Sequence, residues 1–393
     1  MSKYLIKLKP LGKYFFGGDM TFEVGDKSNK DYNSKYSSYI IESNKFPQQT
    51  SLLGMLRYLL LTKSDTTVFS VDENRITNKD NAAKIIGQAS FSVIPDHKLD
   101  MKNSSRFGKI GSIGPCFLLH EYSKEDGLVE EYFLSAPKDY QLIISFENSL
   151  KAYYNGNALK VPSIYKVKKE QLDGEENIEI VKYSSKVEFD TIYIKGNGST
   201  IKEDDIFIKD TRIGINRSYE GKTAHDDKGY YKQISYRLRD GFSFAFVAEV
   251  DFDLSECQNV LVSLGADSSE FSLSASLISD KYQTPHYPDG ITLVEGAYRV
   301  ILLSDSLLGT EDIKKACFNI SRSIPFRFLK TNVECENYNV LGGKVKRSAK
   351  KYYLYEKGSV FYFENEAFAN KFVELVEGKE EFHQIGYNYC EKK

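Results

Sequence analysis

The sequence predicts an α+β fold built as two units, and three observations carry that expectation. The chain has 393 residues, too many for one small domain and few for three. One apolar stripe with helical spacing lies near the N-terminus, at Leu52, Leu53, Leu56, Leu59 and Leu60. The second half carries long period-two strands. The clearest runs Phe242, Phe244, Phe246, Ala248, Val250 and Phe252 against Ser243, Ala245, Val247, Glu249 and Asp251.

The elements follow in order. Tyr4 to Lys9 reads as a first strand, with Tyr4, Ile6 and Leu8 on one face and Lys7 and Lys9 on the other. A long polar loop containing Phe15-Phe16-Gly17-Gly18-Asp19 leads to Ser43. The helix spans Phe46 to Leu61, its leucines forming a single face. Pro47 stands near its start, where a missing N–H is tolerated. Residues 63 to 107 are polar and irregular, with a short helix near Ala82 to Gln88. Cys116 to Tyr122 and Val129 to Ser135 make a hairpin across the turn Ser123 to Gly127. From Lys151 to Lys202 the composition shifts to Lys, Glu, Asn and Gly with short strand-like pieces, an elaboration or a domain junction.

In the second half, Ser255 caps a helix after the long strand. Its stripe is Cys257, Val260, Leu261 and Leu264, and Gly265 stops it. Phe271, Leu273, Ala275 and Leu277 alternate with serines as the next strand, and Tyr298 to Ser304 is another. Thr310, Glu311 and Asp312 open a second helix. Val360 to Phe363 adds a strand, and Glu366 to Glu377 a terminal helix stopped by Gly378. That order, β-α-β-β-α-β, is the ferredoxin-like unit. The first half reads as the same unit with long insertions. The expectation is therefore two ferredoxin-like (RRM-like) βαββαβ domains, 1–205 and 206–393, with long insertions and a projecting β-hairpin at 212–239. Many functions use that fold, so the sites must decide.

Composition narrows the classes. No apolar run is long enough for a transmembrane helix. Met1-Ser2-Lys3-Tyr4-Leu5-Ile6-Lys7 enters alternating sequence at once, which argues against a signal peptide. Cys116, Cys257, Cys317, Cys335 and Cys390 are scattered, which fits reduced thiols in a cytoplasm and offers no closely spaced metal ligands. No metal or other cofactor is expected. Net charge is −2, so any RNA binding must use local basic patches.

Four segments can carry chemistry. Thr50, Gly54 and Arg57 share a helix face opposite the leucines. A bare glycine admits a close phosphate and arginine can clamp it. Spacing alone favours the plainer reading, a helix-packing glycine and a solvated arginine. Gly108 to Gly114 precedes a strand, so it is not a Rossmann or Walker loop. It is either a phosphate-binding run of amides or a plain turn. Between Arg212 and Arg239, the cations Arg212, Arg217, Lys222, Lys228, Lys232, Arg237 and Arg239 outnumber Glu220, Asp226 and Asp227. Tyr219, Tyr230, Tyr231 and Tyr236 interleave with them, a pairing of cations for phosphates with aromatics for bases. Lys344, Lys346, Arg347, Lys350 and Lys351 form a second basic cluster, and such runs are commonly just solvated faces. No catalytic motif frames any of the five histidines. His225, in the basic hairpin, is the one candidate general base for RNA cleavage. His120 lies in a strand and reads as a core histidine.

Phe46-Pro47-Gln48-Gln49-Thr50-Ser51-Leu52-Leu53-Gly54-Met55-Leu56-Arg57 resembles the first-helix motif of the RAMP (repeat-associated) proteins. Pro10-Leu11, Phe15-Phe16 and Phe22 resemble the N-terminal segment of the Cmr subunit that caps the 5′ end of a guide RNA. Arg212-Ile213-Gly214-Ile215, Lys222-Thr223-Ala224 and Gly229-Tyr230-Tyr231 are similar to its central hairpin. Gly342-Gly343, the basic run after it, and Gly358-Ser359-Val360-Phe361-Tyr362-Phe363 are similar to its C-terminal portion. The resemblance runs in order from about residue 4 to 364.

It implies a non-catalytic RNA-binding scaffold of a type III-B CRISPR effector, with the equivalent type III-A subunit as the near alternative. Such a subunit grips the 5′ handle of the crRNA and joins the large polymerase-like subunit to a backbone RAMP subunit, with target RNA met indirectly. The RNA contacts it implies are Gln49, Ser51, Gly54 and Arg57 on the helix, and Gly111, Ser112 and Gly114 before the strand. On the hairpin they are Arg212, Gly214, Asn216, Arg217, Lys222, Thr223, Tyr236 and Arg237, followed by Lys344, Lys346 and Arg347. A repeat-RNA endonuclease using His225 and a protein-only scaffold are the rival classes.

Overall fold

The structure, a computed structural model, describes residues 1–17, 20–23, 38–87, 107–124, 127–140, 142–154, 157–172, 175–182, 191–215, 230–279, 282, 284–288, 293–326, 329–330, 346–347 and 352–393. The described part is a mixture of α-helices and several β-sheets.

A central nine-stranded sheet organises it. Eight strands run in the order Thr200–Lys202, Ile192–Lys195, Gly127–Ser135, Phe117–Lys124, Phe242–Val250, Ser2–Pro10, Glu270–Leu277 and Val260–Ser263. Ile110–Ile113 is the ninth and also pairs with Phe242–Val250. Ser2–Pro10 lies antiparallel between Phe242–Val250 and Glu270–Leu277, so this sheet draws strands from both sides of residue 205. The alternation read from sequence is realised: Tyr4, Ile6 and Leu8 face the main core, and Phe244, Phe246 and Ala248 line it beside them. Lys7 points the other way and pairs with Glu121 at 2.6 Å and with Glu130.

The helix α1 (Gln49–Thr62) covers the core face of that sheet through Leu52, Leu53, Leu56, Leu59 and Leu60. A second helix, α2 (Lys79–Ile86), begins where Asn78 accepts a hydrogen bond from the Asn81 amide, and it packs beside α1.

Among the described residues, three further four-stranded sheets and three two-stranded ones accompany this layer. Phe207–Ile215 and Tyr230–Leu238 form the expected hairpin, and Ser38–Glu42 joins it in parallel with Met20–Glu23 outside. Leu142–Tyr154, Asn157–Leu172 and Glu175–Lys182 make long antiparallel pairs where only short pieces were expected. These strands flank Asn155-Gly156 and Asp173-Gly174, dipeptides that favour tight hairpins. The last sheet combines Phe318–Ile320, Val360–Phe363, Tyr298–Leu302 and Cys390–Lys392. The helix α4 (Glu366–Glu377) packs Ala369, Phe372 and Val376 on it. Between these come the short α3 (Thr310–Ile313) and, after α4, α5 (Glu380–His383).

One expected element is different in kind. The helix expected from Ser255 to Leu264 is absent, and Val260–Ser263 is an edge strand paired with Glu270–Leu277. Val262 and Leu264 are buried while Leu261 is exposed, which is period two. Asn259 and Gly265 both take positive φ, and the turn after them places Asp267 and Ser268 at φ +55° and +53°. Two consecutive left-handed residues make the type I′ turn that joins paired strands.

Candidate nucleic-acid interface

The helix α1 divides the first set of expected contacts between core and solvent. Ser51 and Gly54 are exposed. A methyl group added at Gly54 would meet nothing within 4 Å, so packing does not explain this glycine. Arg57 is braced instead of solvated, its guanidinium 5.5 Å from the centre of the Phe107 ring. Gln49 is only 6% exposed. Its amide nitrogen lies 3.4 Å from the Gly114 carbonyl oxygen.

Gly111, Ser112 and Gly114 belong to the edge of the central sheet. The Ile113 amide donates to the Gln384 carbonyl at 2.8 Å, and the Gly114 amide to the Val247 carbonyl at 2.7 Å. The Gln384 side chain closes the arrangement by donating to the Gly111 carbonyl at 2.7 Å. Gly386 takes φ +92°, and a Cβ there would stand 2.6 Å from the Gly114 oxygen and 2.8 Å from the Gln49 side chain. Only glycine fits. The neighbouring Tyr387 is buried at the first turn of α1, beside the Thr50 hydroxyl and the Gln49 and Thr50 amides. Burial raises its pKa, so the hydroxyl stays protonated. The structure thus brings Gln49, Gly111 and Gly114 together with a C-terminal segment that their sequence positions do not reveal. The glycine at 386 was the one available signal.

The hairpin sets the second group. Its register pairs Arg212 with Gln233, Asp210 with Ser235 and Ile208 with Arg237, so Arg212 and Arg237 share one face of the pleat. Both are exposed. Lys209 and Lys232 are exposed on the opposite face. Gly214 lies opposite Tyr231. Tyr236 is 4% exposed. Its ring packs against Phe207, its hydroxyl donates to Glu42, and its backbone exchanges hydrogen bonds with Tyr14. It ties the hairpin to the body. Burial, reinforced by Glu42, raises its pKa. Asn216, Arg217, Lys222, Thr223 and His225 lie outside the described residues, as does Lys344. Lys346 and Arg347 form a short strand, paired with Lys330 and Leu329.

Beside Phe46, just ahead of α1, sits a partly buried charge with no signature in the sequence. The Lys357 ammonium lies 2.8 Å from the centre of the Phe46 ring. The Asp305 carboxylate accepts from the Lys357 backbone amide at 3.0 Å. Burial pulls the Lys357 pKa down to about 8, with Asp305 opposing it, and pushes the nearby Cys116 thiol up to about 12. Among the described residues, no group of His, Cys, Asp and Glu could hold a metal ion. None of the described helices is long and apolar enough to cross a membrane.

A family model described as CRISPR-associated protein (Cas_Cmr3) matches residues 6–391, almost the whole chain. No curated protein matches. The chain is similar to one in the cryo-EM structure of the type III-B Cmr-beta bound to cognate target RNA. That likeness has a TM-score of 0.45 and 13% identity, over 99% of this chain and 96% of that one. A second match, from the same assembly with target RNA and AMPPnP, gives 0.42 and 12%, over 99% and 95%. The span of the family model therefore decides identity: the chain belongs to the Cas_Cmr3 family, the RAMP-type, non-catalytic RNA-binding scaffold subunits of type III-B Cmr CRISPR effector complexes.

Proposed function

We propose that this chain grips the repeat-derived 5′ handle of the crRNA, and that it joins the large polymerase-like subunit to the first backbone RAMP subunit in antiviral defence. Target RNA is then met indirectly, through the assembled guide. The observation that carries this reading is the outer face of the hairpin. Two exposed arginines, Arg212 and Arg237, stand on one face of a strand pair that Tyr236 fixes to the body. Exposed guanidinium groups on a rigid support suit phosphates, because the attraction is paid for by released counterions and needs no base identity. Arg217, Lys222 and Thr223 would extend that surface, as would Lys344, Lys346 and Arg347. Tyr236 serves this reading as the support beneath the cations.

The solvent face of α1 is the second contact. Open space around Gly54 lets a ribose-phosphate approach the helix backbone, with Ser51 and the braced Arg57 beside it. In this reading α1 and α4 are the helix layers of two ferredoxin-like units.

The test is recovery of the complex with its RNA. Purified through this chain, it should carry short RNAs with one common 5′ sequence, and random 5′ ends would overturn the reading. Arg212→Glu with Arg237→Glu should release most of that RNA, while folding stability changes by no more than about 0.5 kcal/mol. Gly54→Ala should stabilise the free chain by about 1 kcal/mol through helix propensity and still weaken RNA retention.

A further inference from the structure

The main core continues outward as a ladder of stacked rings. Phe242, buried, lies directly across from His120 in the central sheet. Their rings are 4.2 Å apart and inclined by 20°. Tyr122, two residues further along the same face, stacks on His120 at 5.3 Å and 28°. The Lys124 ammonium lies 5.3 Å from the Tyr122 ring centre. His120 and Tyr122 are partly exposed and Lys124 is exposed. The ladder therefore runs from core to solvent and ends under a cation.

Its geometry is held from two sides. The Tyr122 hydroxyl engages Glu131, whose carboxylate also pairs with Lys195 at 2.8 Å. Lys195 in turn stands 5.3 Å from the Phe133 ring. On the other side Gly241 takes φ +84°, and a Cβ there would come within 2.8 Å of both the His120 ring and the Glu121 carbonyl. The backbone passes under the imidazole because glycine allows it. Burial and Lys195 lower the His120 pKa while Glu131 raises it, and the net shift is downward. The ring is thus mostly neutral at pH 7, which suits stacking. The acidic Glu131 is already engaged, so Lys124 dominates the outer end.

Packing accounts for Phe242 but not for two further stacked rings left partly in solvent. Gly241 and Phe242 follow the strand Tyr230–Leu238 after only Arg239 and Asp240, so the ladder stands at the root of the basic hairpin. We propose that Tyr122 and His120 form a stacking platform for one unpaired base of the bound RNA, with Lys124 swinging from the ring to the adjoining phosphate. Every base has a π face, so such a platform is indifferent to sequence. The inference rests on the RNA-binding reading above and adds a site to it.

The full-length chain would be titrated with repeat-derived RNA carrying 2-aminopurine at each position in turn. One position should be quenched on binding. Tyr122→Leu should abolish that quench and weaken binding by about 5- to 100-fold, whereas Tyr122→Phe should keep both. If Tyr122→Leu binds with the wild-type affinity and quench, the platform is wrong and the RNA reading stands. If the wild-type chain binds no repeat RNA, both are wrong. If Tyr122→Leu keeps RNA but no longer assembles with partner subunits, the ladder is a protein contact and the platform is again overturned. Lys124→Ala, at an exposed position, guards against misfolding in the Tyr122 variant. It should lower the salt slope of binding by about 0.7, the single-strand value for one phosphate, and an unchanged slope would overturn the proposal.

Discussion

Lys357 sits where a cation has little to gain. Its ammonium lies over Phe46 with Asp305 close by, and burial brings its pKa from 10.5 to about 8. The unfolded chain keeps its proton up to the higher value, so between those limits it binds more protons than the folded one. The contribution of Lys357 to stability therefore grows as pH rises from about 8 towards 10.5, and it is lost as pH falls back to about 8. A shift of this size corresponds to roughly 3 kcal/mol at most. Lys357→Met should remove that rise. Buried thiols such as Cys116 titrate in both proteins, so the reading is the difference: between pH 7.5 and 9.5 the urea midpoint of the wild type should gain on that of the variant. None of this was legible in the sequence, where Phe46 stood only as part of a helix motif and Lys357 as one more loop lysine.

At the level of elements, the edge hairpin Val260–Ser263 with Glu270–Leu277 is the clearest lesson. Cys257, Val260, Leu261 and Leu264 have helical spacing, yet the short run is also satisfied by a strand with Val262 and Leu264 inward. Paired strands on one side and left-handed Asn259, Asp267 and Ser268 settle the competition. Ser268 has a side chain at φ +53°, a conformation that glycine adopts without strain. Ser268→Gly should therefore stabilise the protein by about 0.5–1 kcal/mol, measured as a higher denaturation midpoint. Asp267 should be left alone, because its carboxylate accepts from Gln233 of the basic hairpin. The long helix, the first strand and both hairpins were legible because each has a strong local period. The C-terminal segment Gln384 to Tyr387 was not, since its role arises from distant partners. Of the candidate site, Arg212 and Arg237 were readable as exposed cations, while the burial of Tyr236 and Gln49 was set by tertiary packing.

Across the whole molecule, the layers are locked by a buried ion pair. Arg299, from the C-terminal sheet, donates to Asp139 through Nε at 2.7 Å and through a second guanidinium nitrogen. Tyr362 adds its hydroxyl to the same carboxylate at 2.6 Å. Arg299 is 5% exposed and Asp139 fully buried, so cutting the pair strands a charge away from water. Arg299→Ala should cost about 3–5 kcal/mol by chemical denaturation. Arg299→Met together with Asp139→Leu should recover part of that loss, because both ends of the pair are then removed.

The place of the first strand has a consequence for synthesis. Ser2–Pro10 leaves the ribosome well before its two partners, Phe242–Val250 and Glu270–Leu277. Until those segments emerge, both edges of an apolar strand wait without hydrogen-bonding neighbours, a species that invites pairing with another chain. The nascent protein therefore depends on late closure around an early strand. Slowing translation between codons 10 and 277 should lengthen that vulnerable interval and demand more chaperone protection.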